Sequence, residues 1–136
     1  MSVGRVNVLR TVLVAACVVL AGSQAFALNK RIAAELERLD PEEELEQRCD
    51  VEALTRIDAA RRDLTPDKVI AYTFAPPEVS GNTIDARGAV FRSHEHWYHL
   101  SYHCVTDASE LAVTDFSFSI GKEVPRSEWD RNYLYP

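Results

Sequence analysis

The first 27 residues are built to be removed, and that decides which part of the chain is left to fold. Met1 to Arg10 carries Arg5 and Arg10 without an acid, Val12 to Ala21 is an unbroken apolar run, and small residues occupy the peptidase-read positions Ala25 and Ala27. This is the pattern of an export signal cleaved before Leu28. An uncleaved anchor is the competing reading, but the apolar run from Thr11 to Gly22 falls well short of the roughly 20 residues that cross a bilayer. Lipidation at Cys17 is a further rival, since Val14-Ala15-Ala16-Cys17 loosely resembles a lipoprotein box. The apolar run continues past that cysteine and leaves only Thr11 to Ala16 before it, which is short for a signal core.

Export outside the reducing cytoplasm changes the meaning of the cysteines that remain. Cys49 and Cys104 are an even pair in an oxidising setting, and a disulfide between them is expected. Neither stands in a Cys-x-x-Cys pair, so a redox or nucleophilic thiol is the weaker alternative. Residues 28–136 then form one domain of ordinary size. Arg5 and Arg10 leave with the signal, so the net charge falls from −6 to −8. Such an acidic domain is not drawn to nucleic acid or to anionic lipid, and no stable membrane insertion is expected after cleavage.

Apolar residues at Leu28, Ile32, Leu36 and Leu39 space as one face of a short helix. A second helix starts at Asp40, with Pro41 in its first turn, Glu43 as a capping-box partner, and Glu42 and Glu44 favoured by the dipole. Leu45, Cys49, Ala53, Ile57 and Ala60 share its inward face, and it should end near Arg62. Val69 to Phe74 reads as a strand closed by Pro76-Pro77, and residues 76–82 read as a loop. Residues 83–92, 96–105 and 111–120 read as three more strands. A two-residue turn at His94-Glu95 pairs Phe91 with Tyr98 and Ala89 with Leu100. That register turns Ala89, Phe91, Tyr98, Leu100, Tyr102 and Cys104 inward, while Phe116, Phe118 and Ile120 do the same in the last strand. The expected fold is α+β, with two N-terminal helices packed on a four-stranded, mainly antiparallel sheet and an aromatic C-terminal tail.

Chemistry is harder to find. His94, His96, His99 and His103 cluster in sequence near Glu95 and Asp107, and on a helix His99 and His103 could share a metal ion. On a strand, those two stand roughly 13 Å apart, too far for one metal. No serine is flanked as a nucleophile elbow, the acids of Glu42 to Glu46 lie along an exposed helix, and Gly81 and Gly88 form no phosphate loop. Neither a metal nor a cofactor is called for. The face opposite the core carries Arg92, Trp97, His99, Ser101 and His103, with Ser117 and Ser119 nearby, and is the candidate binding surface. The bland alternative is that the tail, with Trp129, Tyr133 and Tyr135, covers Trp97.

Ordered blocks of the chain also carry a likeness. Leu39-Asp40-Pro41-Glu42, Leu45-Glu46-Gln47-Arg48-Cys49-Asp50, Pro66-Asp67-Lys68-Val69-Ile70-Ala71, Gly81-Asn82-Thr83-Ile84, Trp97-Tyr98 and Pro125-Arg126-Ser127-Glu128-Trp129 resemble the domain-of-unknown-function family 930, a group of small exported proteins of rhizobial-type proteobacteria. The resemblance spans Leu39 to Tyr135. It implies a Gram-negative setting, hence the periplasm, and brings no reaction or catalytic residues with it. The expected function is a non-catalytic periplasmic module that binds a protein, peptide or glycan. The alternative is a small hydrolase or metal-binding enzyme using His94, His96 or His99.

Overall fold

A proline after an acidic residue marks where the first helix must stop. In the computed structural model, which describes residues 28–109 and 111–136, Asp40 is extended (φ −64°, ψ 150°), as steric conflict with the following Pro41 requires. Helix α1 (Lys30–Leu36) is shorter at both ends than the expected span of residues 28–39; Asn29 caps it by accepting from the Arg31 amide, and only Leu36 is buried. The export signal and Cys17 lie outside the described residues.

Helix α2 (Pro41–Ala60) begins where the sequence indicates, with Glu42, Glu43 and Glu44 in its first turn. The expected side-chain cap is absent: Asp40 makes no capping bond, and it is its backbone carbonyl that accepts from the Glu44 amide at 2.8 Å. Leu45, Cys49, Ala53 and Ile57 are buried along one face, whereas Ala60 is exposed in the last turn. That face packs on the sheet, and Cys49 reaches across to form a disulfide with Cys104, their Cα atoms 6.1 Å apart.

The sheet has five antiparallel strands rather than four: β1 (Pro66–Ile70), β2 (Glu78–Ser80), β3 (Thr83–Ser93), β4 (His96–Thr106) and β5 (Val113–Glu123). Their order is β1-β3-β4-β5, with β2 pairing the start of β3 on the same side as β1. The additional strand is β2, inside the segment expected to be a loop, where Glu78 to Ser80 pair with Asp85 to Thr83. Strand β1 ends four residues earlier than expected, because the chain leaves the sheet and folds against β3. There the Phe74 amide donates to the Gly88 carbonyl at 2.8 Å, and a Cβ on Gly88 would stand 2.1 Å from the Ala75 nitrogen. Glycine is what allows this close backbone approach.

The hairpin register is the expected one. Phe91 faces Tyr98 and Ala89 faces Leu100 across β3 and β4, and both turn residues, His94 and Glu95, adopt left-handed φ values of 50° and 63°. Ala89, Phe91, Leu100, Tyr102 and Cys104 join the α2 residues in the main core, with Tyr98, Phe116, Phe118 and Ile120 packed on its margin. A second cluster lies on the other face of the sheet, where Val124, Trp129 and Leu134 of the tail close over Val90 and Trp97. The tail turns through two single-turn 3-10 helices, Arg126–Glu128 and Asp130–Asn132. Among the described residues, no helix is long and apolar enough to cross a membrane.

Candidate functional site

The tail decides what is left of the back face of the sheet. Trp97 is 1% exposed, and its indole N–H donates to the Tyr135 carbonyl at 2.8 Å, so this tryptophan is a covered core residue and presents no platform to solvent. Arg92 grips Asp67 through Nε and Nη2 at 2.9 and 3.0 Å and donates from Nη1 to the Pro136 carbonyl. The cover comes from Trp129 and Leu134; Tyr133 and Tyr135, also expected to pack, are 78% and 61% exposed. They stay outside because the turn at Tyr133 (φ 54°) buries Leu134 between them.

The histidines go to separate surroundings. His96 Nδ1 lies 2.6 Å from Glu123, the His99 ring packs against Phe74 with centroids 4.5 Å apart, and His94 stands in the hairpin turn. His103 stands between two acids of the neighbouring strands, with Nδ1 2.8 Å from Asp85 and Nε2 3.7 Å from Asp115. Ser101, Ser117 and Ser119 border it in a shallow polar hollow. Among the described residues, no three His, Cys, Asp or Glu side chains form a group that could hold a metal ion.

A deeper recess lies elsewhere, at the edge of the sheet. A cleft of about 710 Å³ is lined by Glu46, Gln47, Asp50, Val51 and Leu54 of α2 on one side and by Arg131, Asn132, Tyr133 and Tyr135 of the tail on the other. Between these walls runs β1, from Asp67 to Ile70, followed by Tyr72 and Thr73. Val69 belongs to the front core and Ile70 to the back cluster. A cleft lined from both faces of β1 wraps around that strand's outer edge. Tyr72, Tyr133 and Tyr135, all more than half exposed, stand along it.

Asp50 gives the cleft its electrostatic character. It is only 6% exposed, and its Oδ1 accepts from the Tyr102 hydroxyl at 2.8 Å. Burial pushes the carboxyl up to about 7; the Tyr102 bond opposes this and the charge of Glu46 adds to it. Glu46, one turn earlier, is also raised, first by burial and then by Glu43. Tyr102 is raised as well, by burial and by the Asp50 carboxylate. Beside them, Thr73 Oγ1 is buried without a hydrogen-bond partner.

No catalytic or ligand-binding motif marked the cleft residues, although Glu46, Gln47, Asp50 and Asp67 to Ile70 fall within the blocks that carry the family likeness. The available signal was spacing: Glu46 and Asp50 each flank an inward residue, Leu45 and Cys49, so both had to lie at the border between the core and solvent. A second buried group was equally silent. Arg48 and Glu52 are 3% and 4% exposed, paired at 3.0 Å, with Arg48 Nε donating to the Leu111 carbonyl and Arg56 completing the Glu52 contact. This ties the β4–β5 connection to α2.

The family model of the domain of unknown function DUF930 matches residues 36–134. The chain belongs to the DUF930 family. The matched span contains α2, all five strands, both cysteines and every cleft residue named above except Tyr135. No curated protein and no solved structure matches the chain.

Proposed function

We propose that this DUF930 protein is an exported, non-catalytic recognition module of the periplasm, and that its ligand site is the cleft around the β1 edge. The observation that carries this reading is the composition of the cleft: a carboxyl group kept in a largely buried position at Asp50, faced by three tyrosines left in water. Exposed aromatic rings grouped around a concavity cost hydration free energy unless something covers them, and such rings recur as anchors for ligands. Export is supported by the N-terminal signal pattern and by the Cys49–Cys104 disulfide, which suits an oxidising compartment.

The test places a photoreactive benzophenone side chain at Tyr133 in cells, where it inserts into peptide and glycan C–H bonds alike. An adduct of defined mass is expected at position 133, with none at exposed Arg62 in the turn after α2. The Tyr72→Ala substitution, made at a residue 61% exposed, is expected to reduce that adduct several-fold without altering the melting transition. Equal labelling at both positions would remove the cleft as the site.

A further inference from the structure

The free edge of β1 defines what kind of ligand the cleft can hold, given that the cleft is the ligand site. Among the described residues β1 pairs with β3 alone, so the backbone amides and carbonyls along its other side, where the cleft lies, have no neighbouring strand. A strand edge in this state is a template for another extended chain. Indiscriminate pairing is discouraged at one end by Pro66, by the register shift between Pro66 and Lys68, and by the Lys68 charge. Val69 and Ile70 remain as a short, open stretch between the α2 wall and the tail.

We propose that the cleft receives an extended polypeptide segment as an added strand on the edge of β1, with a lysine or arginine of that segment turned toward Glu46 and Asp50. Three observations fit together. The unpaired edge supplies main-chain hydrogen bonds, which any polypeptide can use and a sugar cannot match in period. Tyr72, Tyr133 and Tyr135 offer ring faces to apolar side chains of the same segment. Glu46 and Asp50, one helical turn apart and both lining the cleft, form a local acidic pair whose charge a basic side chain would favour; burial works against that charge on both, with Glu43 adding to it at Glu46 and Glu46 adding to it at Asp50.

A phage-displayed library of random dodecapeptides, selected on the disulfide-intact protein, provides the probe. Selected peptides are expected to alternate apolar residues with at least one Lys or Arg, and to shift the amide resonances of Asp67 to Ile70. Glu46→Gln should weaken a selected peptide roughly tenfold, and Glu46→Lys should transfer preference to its Asp-substituted twin. N-methylation of alternate backbone nitrogens should abolish binding in one of the two possible phases, because only one phase faces β1.

Equal binding of both N-methylated peptides, selected peptides without basic residues, or shifts confined to other strands would overturn the added strand. N-acetylglucosamine tetrasaccharide tested in parallel separates the two readings. If it shifts the Tyr72 and Tyr133 resonances while no peptide is enriched, the cleft stands as the ligand site and the polypeptide assignment falls. If neither probe disturbs the cleft, both fall.

Discussion

Asp50 is a carboxyl group placed where its charge is unwelcome, and the pH dependence of folding should report this. In the unfolded chain it ionises near its ordinary value of 3.8; in the folded protein burial moves it to about 7. Between those values the folded state holds a proton that the unfolded chain has released. Stability from this site therefore falls as pH rises from about 4 to 7, and the full penalty is present above 7. Complete transfer of that shift would amount to about 4 kcal/mol, and structural relaxation reduces it. Asp50→Asn keeps an acceptor for the Tyr102 hydroxyl and removes the charge. Urea unfolding should find this variant more stable than the parent at pH 8 by about 2 kcal/mol, with the gap closing toward pH 4. Glu46, raised in the same direction, leaves a smaller slope of the same sign in both proteins. A constant gap across the range would mean that Asp50 ionises normally.

At the scale of elements, the tail is a structural component of the domain. Trp129 donates from its indole to the Val124 carbonyl at 3.0 Å, Leu134 is 1% exposed, and together they seal Trp97. Trp97→Ala should cost about 3–5 kcal/mol and free the tail. Thermal unfolding measures the first, and faster proteolysis after Val124 the second. Retention of the parental melting temperature would refute the cover. Much of this layer was legible from sequence. The alternation of Phe116, Phe118 and Ile120 and the two-residue turn at His94-Glu95 fixed which faces turn inward, because period and register follow from local geometry. β2 was not legible: three exposed residues between a proline pair and a glycine carry no burial pattern, and their pairing depends on β3 already being in place. Nor was the exposure of Tyr133 and Tyr135, which turns on one left-handed residue.

For the whole molecule, the decisive cross-link is the disulfide between the middle of α2 and β4, separated by 55 residues in sequence. Alkylation followed by mass measurement should find neither cysteine free within one monomer. Reduction should lower stability by about 4 kcal/mol on the chain-entropy scale, measured by denaturant unfolding with and without reductant. Unmodified stability after reduction would place the hold elsewhere, in the main core. The pairing was readable in the sequence because Cys49 and Cys104, both expected to turn inward, leave each other as partner once the first 27 residues are set aside; the cleft was not, because it is assembled from α2, β1 and the tail, which meet only in the folded chain. The same bond makes a closed covalent ring of everything from Cys49 to Cys104, including β1, β2, β3 and, of the α2 wall of the cleft, Asp50, Val51 and Leu54. A protease that cuts within that ring, at the exposed Ala75–Pro76 loop for instance, opens the ring without releasing a fragment. After such a cut the nicked chain would still be one covalent molecule, carrying both walls of its cleft.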